Sequence, residues 1–305
     1  MLVFTLKKLG LALLVALAVS MLSFALLYLS GDPAAAIAGE TASDSDIEAI
    51  RIFYGFDRPL LVQYGEWLFN AVRGDFGQSY YFQLPVGQLI ADRLSVTMIL
   101  GVCGITFALL TAVPLGVAAA VRPNSLIDRV ALFISVMGQA MPSFWFGLVL
   151  IVIFSIQFQI LPPSGSESWR HFVMPTIVLG YYAMPGIMRL TRAGMLDVLS
   201  ADYIRTARAK GASEMRVMFK HALRNAIIPV VSLAAVQMGF MLGGSIVVES
   251  IFALHGAGYL AWESIGRNDL PTVQALILIF SLFYIVFTFL SDLLNAWLDP
   301  RMRVG

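Results

Sequence analysis

The sequence predicts an all-α polytopic membrane protein with six transmembrane helices and both termini cytoplasmic, and three observations carry that expectation. Of 305 residues, 59% are apolar and 13% are charged, against about 25% charged in soluble domains. The apolar residues fall in six long blocks, and the basic residues gather in alternate connections between them. Charges this sparse cannot coat a 33.3 kDa globule, so part of the apolar surface must meet lipid.

A run of about 18 apolar residues, rising about 1.5 Å per residue, spans a hydrocarbon core. Six runs meet this need, near Leu9 to Leu29, Ser95 to Val121, Val130 to Ile156, Val173 to Met188, Ile227 to Val248 and Val273 to Leu290. The fourth is the shortest and carries Pro175 and Pro185. Prolines within a span are tolerated where neighbouring helices satisfy the freed carbonyls. The first run is preceded by Lys7 and Lys8, as a signal peptide would be. It exceeds the roughly 7 to 15 apolar residues of such peptides and is expected to remain as a helix.

Orientation follows from lysine and arginine, which resist translocation beside a span. Lys7 and Lys8, Arg122 and Arg129, the eight basic residues from Arg189 to Arg224, and Arg301 with Arg303 all belong to one side, the cytoplasm. The segment from Ser30 to Arg93 carries nine acids against Arg51, Arg58, Arg73 and Arg93 and belongs outside. Helical apolar spacing over Ile47 to Phe53 and Pro59 to Val72 predicts a small folded cap there.

Several functions are excluded. A net charge of +1 gives no basic stripe for nucleic acid, and the single Cys103 permits no intrachain disulfide. A metalloprotease His-Glu-x-x-His is absent, and His171, His221 and His255 all fall outside the expected spans, so neither a metal site nor a serine-histidine pair is expected at depth. No catalytic residue is expected. An ion-gradient-driven carrier is the stronger rival, but such proteins usually hold ionisable groups in mid-span, and none is obvious here.

The connection before the fifth span reads as two short helices meeting at Gly211. The glycine suits a left-handed terminus, and Ser213 with Glu214 suits the start of the second helix. In that helix Met215, Met218, Phe219, Ala222, Leu223 and Ala226 recur at three- and four-residue spacing, with Arg216, Lys220 and Arg224 on another face. Periodicity alone leaves open a helix resting on lipid headgroups or one docking a protein.

Within the spans, Gln139 and Ser143 around Pro142, and Gln237, Gly239, Gly243 and Gly244, are polar or small. Such residues face protein or a cavity, and both helix packing and a translocation path fit them.

Ala207, Gly211 and the helix-glycine-helix layout resemble the cytoplasmic coupling loop of binding-protein-dependent ABC importer permeases. The stretches Ile204 to Gly211 and His221 to Pro229 are similar to the dipeptide, oligopeptide and nickel branch. So are Tyr54 to Tyr64, Gly74 to Ser79, Gly243 to Glu249, Arg267 to Pro271 and Asp299 to Arg301. Arg205-Thr206-Ala207 stands where the general importer motif has Glu-Ala-Ala, and Leu254-His255-Gly256 where the branch has Pro-Gly.

The resemblance implies the type I ABC importer permease architecture. Residues 1–29 would form a tail and first helix, 30–94 a periplasmic cap, 95–298 the transmembrane core with its coupling loop at 189–226, and 299–305 a cytoplasmic tail. It further implies that Tyr203, Arg205, Ala207, Arg208, Lys210, Gly211 and Glu214 lie at the contact with a cytoplasmic ATPase. No Gly-x-x-x-x-Gly-Lys-Ser/Thr loop is present, so ATP and Mg would bind partner subunits and no cofactor this chain. The implied partners are two ATP-binding subunits, a second homologous permease, a periplasmic solute-binding protein and membrane lipid. The implied cargo is a peptide or similar small solute crossing a bacterial inner membrane.

Overall fold

In the computed structural model, residues 2–29, 31–39 and 42–298 are described. The tail motif Asp299 to Arg301, expected to be cytoplasmic, lies outside them. The regular elements among the described residues are all helices, apart from one isolated bridge between Gln78 and Pro85.

Four helices are long and apolar enough to cross a membrane. They are α1 (Leu2–Leu29), α5 (Val86–Val121), α12 (Ile228–Ile251) and α14 (Leu270–Leu298). They contain the expected first, second, fifth and sixth runs almost entirely. The expected third run is instead broken. It forms α6 (Leu126–Ala140) and α7 (Ser143–Leu150), and then a π-helical stretch, Ile151–Gln157. The break has a local cause: Pro142 disfavours helical backbone at the residue before it, and Met141 is extended at φ −90, ψ 129.

The expected fourth run sits inside a longer helix, α8 (Trp169–Leu199), that carries Pro175 and Pro185 without breaking. Its apolar middle is the centre of the core. Met174, Val178, Ala183, Ile187 and Met188 are buried there against Leu100, Ala108 and Ala112 of α5. Close approach of α5 and α8 depends on small residues, because a Cβ on Gly116 would stand 2.7 Å from Thr191 Cβ and 2.8 Å from the Met188 carbonyl oxygen.

The acidic segment does fold as a cap, of α2 (Pro33–Ala38), α3 (Asp44–Tyr54) and α4 (Leu60–Val72). Ser43 and Asp46 close a capping box at the start of α3, and Gly55 ends it in the left-handed region at φ 71. The cap docks on α1 through Ser20 and Tyr64, whose hydroxyls lie 2.7 Å apart, and through a hydrogen bond from the Tyr28 hydroxyl to Gln63.

Helix ends sort into two layers. In one, Lys8 meets Asp292 at 2.9 Å and Arg192 meets Asp128 at 2.7 Å. In the other, Arg93 meets Glu263 at 3.3 Å, and the buried Asp269 accepts Ser79 Oγ at 2.6 Å, the Tyr80 N–H at 2.9 Å and Thr272 Oγ1 at 2.7 Å. The short helices α9 (Asp202–Ala209), α10 (Glu214–Arg216) and α11 (Arg224–Ala226) belong to the first layer, and α13 (Ala257–Gly266) to the second.

Candidate functional site

In the loop after α8, Ile204, which no periodicity marks, packs into the core together with Val217 and Ala222. Ile204 of α9 is wholly buried among Val117, Ala120, Met195, Val217, Ala222 and Ala226. Around this anchor the other α9 residues look outward. Tyr203, Arg205, Arg208 and Lys210 are exposed, and Ala207 is half-buried at the edge of the same cluster. Tyr203 accepts a hydrogen bond from Asn225 Nδ2 at 2.8 Å, and Arg205 pairs with Asp202 at 3.2 Å on the same helix.

Gly211 adopts φ 79, the left-handed terminus expected of it, and a Cβ placed on it would meet nothing within 4 Å. Ser213 stands at the start of the next helix but makes no side-chain cap. The bend is fixed instead by Arg208, which donates to Glu214 from Nε at 2.8 Å and Nη2 at 3.1 Å. That two-pronged contact holds the Glu214 carboxyl below the ordinary glutamate value and raises Arg208.

The second helix buries part of the face its spacing predicts, Ala222 and Ala226 fully and Met218 and Leu223 partly, and adds Val217 to it. From Val217 to Leu223 the backbone is π-helical, which lengthens the turn. Val217, Ala222 and Ala226 therefore point inward, while Met215 and Phe219 remain 64% and 55% exposed. Arg216, Lys220 and Arg224 are exposed as expected. The loop thus presents two large apolar side chains beside a row of cations, with Gly211 open at the bend.

At membrane depth, a groove of about 970 Å³ runs between α1, α6, α8, α12 and α14. All six residues singled out in the spans, Gln139, Ser143, Gln237, Gly239, Gly243 and Gly244, line it together. Pro142 helps place two of them, since the broken helix turns Gln139 and Ser143 toward the groove from either side of the kink. Tyr182, Ser281 and Tyr284 join the lining, and nothing in their spacing had marked them. Gly239 is there for packing, because a Cβ would stand 2.9 Å from Tyr284 Cδ2 and 3.1 Å from its Cα. Gly243 and Gly244 face open space.

Glu249, near the end of α12, is fully buried and has no arginine partner among the described residues. It accepts Thr97 Oγ1 at 2.8 Å and the Tyr259 N–H at 2.8 Å, holding the start of α13. The turn where Leu254-His255-Gly256 replaces Pro-Gly is defined by the same group, since a Cβ on Gly256 would stand 2.6 Å from Thr97 Oγ1. Asp292 pairs with Lys8. Among the described residues, no cluster of three or more His, Cys, Asp or Glu is placed to hold a metal ion.

The family profile described as binding-protein-dependent transport system inner membrane component matches residues 112–304, and the profile for the N-terminal part of such components matches residues 1–101. The chain is 43% identical over 286 residues to the glutathione transport system permease protein GsiC of Escherichia coli, covering 93% of this chain and 94% of that one. The GsiC of Shigella dysenteriae matches to the same extent. In fold, it is similar to a chain of the MetNI methionine ABC transporter, at a TM-score of 0.58 and 20% identity over 70% of this chain and 97% of that one. Members of this family work with ATP-binding subunits and a substrate-binding protein. The chain belongs to the binding-protein-dependent ABC importer permeases, as a non-catalytic, multi-pass subunit of an ATP-driven importer in a bacterial inner membrane.

Proposed function

We propose that this permease forms half of the path for a small peptide, glutathione being the first candidate, and takes its motion from ATPases docked on the loop around Gly211. The observation that carries the proposal is the division of labour in α9. Ile204 is sealed in the core while Tyr203, Arg205, Arg208, Lys210, Gly211 and Met215 face away from it. A segment anchored by its buried face, with Ile204 at the centre of α9, and open on the opposite face suits transmission of force from a docked partner. Ala207 and Gly211 are small enough for close approach, and the Arg208 to Glu214 clasp stiffens the bend.

Six crossings with cytoplasmic termini fit the sorting of helix ends, if α6, α7 and the π-helical stretch together make the third and α8 the fourth. Lys8, Asp292, Arg192 and the basic loop then share the inner layer. The groove opens on one side of a single chain, which favours a second, homologous permease to complete the wall. ATP and Mg would reside on the ATP-binding subunits. Cargo is taken from the GsiC relatives, and Gln139, Ser143, Gln237 and Tyr284 offer neutral hydrogen-bonding groups suited to peptide amides.

The test is to purify the chain with its partner subunits, reconstitute them, and follow uptake of labelled glutathione and di- and tripeptides against ATP hydrolysis. Gly211→Trp is expected to leave the assembly intact in the membrane yet separate hydrolysis from uptake. Transport by this chain alone, under an ion gradient and without ATPase subunits, would overturn the reading.

A further inference from the structure

A second concavity, of about 480 Å³, lies between the end of α5 and the helix that follows Gly211. Val113, Pro114, Val117 and Val121 of α5, Ile127 of α6 and Phe219 form its walls, and Arg122 is its one charged lining residue. It shares no residue with the groove that holds Gln139 and Gln237. We propose that this trough binds one acyl chain of an anionic phospholipid of the cytoplasmic leaflet, with Arg122 receiving the phosphate and Lys220, the residue after the wall-forming Phe219, adding positive charge to the same helix. The proposal rests on the membrane orientation given above.

Continuity is the first argument. Ile99, Val102 and Leu110 are 50%, 51% and 71% exposed, and Pro114, Ala118 and Val121 continue the same three- and four-residue stripe down α5. The trough is therefore the inner end of a face of α5 that runs the length of a spanning helix. Depth is the second. Pro114 stands seven residues above Val121, which at about 1.5 Å per residue is about 10 Å into the apolar layer. A soluble ATPase surface would not follow the wall that far, whereas an acyl chain would.

Charge is the third argument. Arg192, Arg208 and Arg205 in this layer each pair with a carboxylate. Arg122 is exposed and makes no ion pair among the described residues; Arg129, Arg189, Lys210, Arg216, Lys220 and Arg224 make none either, but of these Arg122 alone lines the trough. An unpaired cation at the inner mouth of an apolar trough is complementary to a lipid phosphate, and anionic lipids populate that leaflet. A lipid seated there would touch both α5 and Phe219, and so would brace the loop against the core.

The assembled importer, purified in mild detergent, would be examined by native mass spectrometry after addition of dioleoyl phosphatidylglycerol or dioleoyl phosphatidylcholine. Retention of phosphatidylglycerol on this subunit, several-fold reduced by joint Arg122→Gln and Lys220→Gln, is expected; equal retention by the variant overturns the inference. Independently, Ala118→benzoylphenylalanine in the intact membrane should photocrosslink to phospholipid. A crosslink to an ATPase subunit or to another permease, or no lipid adduct, overturns it. Labelling of Lys220→Cys by an impermeant thiol reagent separates the two readings. Reaction only from outside sinks the orientation itself, whereas reaction from the cytoplasm without lipid retention sinks the trough alone.

Discussion

Thr97 of α5 and Glu249 of α12 are 152 residues apart in sequence and meet through a 2.8 Å hydrogen bond in a fully buried setting. The same threonine oxygen accepts the Ala257 N–H at 2.8 Å. One hydroxyl thereby ties two spanning helices to the first turn of α13. Removing it in Thr97→Val leaves a buried carboxyl and a buried N–H each short of a partner, at a cost of about 2 kcal/mol. Thr97→Ser retains the hydroxyl and should keep most of the stability. The midpoint of thermal unfolding of the purified assembly distinguishes them, and equal midpoints for threonine and valine would show that the bond contributes nothing.

On the inner side, Arg192 holds Asp128 with two hydrogen bonds of 2.7 Å, and the Asp128 side chain is 3% exposed. Arg192→Met strands a buried carboxylate and should cost about 3 kcal/mol. Adding Asp128→Asn should recover part of the loss.

The same pair predicts a pH dependence. Hydrogen bonding to Arg192, aided by the Asn124 N–H, lowers Asp128 from its ordinary 3.8. A carboxyl with a lowered native pKa contributes stability above its unfolded value and loses it as pH falls through the native one. Wild type and Arg192→Met should therefore differ fully at neutral pH and converge in acid below that ordinary value. A gap that widens in acid would refute the assignment.

At the bend, Gly211→Ala meets no neighbour, so its cost is that of a left-handed alanine, about 1 kcal/mol. It should lower loop stability slightly and leave uptake near normal. Gly211→Trp adds a bulky group on the open side and should uncouple hydrolysis from uptake, read as ATP consumed per solute imported.

In the groove, the glycines should behave differently. Gly243→Trp extends into open space and should abolish uptake while leaving expression and assembly unchanged. Gly239→Ala presses on the Tyr284 backbone at 3.1 Å and should lower thermal stability by separating α12 from α14. Loss of assembly with Gly243→Trp would show that the position is packed against another subunit.

Four long apolar helices, the helices of the acidic segment and the left-handed bend were legible because each rests on local pattern: long apolar runs, helical spacing over Ile47 to Phe53, and a glycine at the loop apex. The sequence also picked out Gln139, Ser143, Gln237 and the glycines, since polar or small residues in an apolar run stand out. It could not tell a packed glycine from an open one: a Cβ on Gly239 would press on Tyr284, whereas one on Gly243 would meet nothing within 4 Å. Pro142 was visible, yet the break at Met141 was not separable from Pro175 and Pro185, which α8 carries intact under tertiary packing. The π-helical stretch from Val217 adds Val217 to the buried face and leaves Met215 and Phe219 outside it, and Ile204 had no periodic partner to announce it. Glu249 and Thr97 required the chain to be folded before their pairing could be seen.

The lining of the large groove consists of amide, hydroxyl, glycine and hydrocarbon surfaces, with no side chain that carries a formal charge at neutral pH. Glutathione, with two carboxylates and one ammonium at neutral pH, keeps one net negative charge, for which this chain's groove offers dipoles but no counter-ion, so that charge would stay hydrated during passage. Opposite charges within one zwitterion can instead screen each other. Such a conduit has no proton to lend, so acidifying either compartment should leave its contribution to cargo movement unchanged, and discrimination among cargoes would have to be exercised before entry.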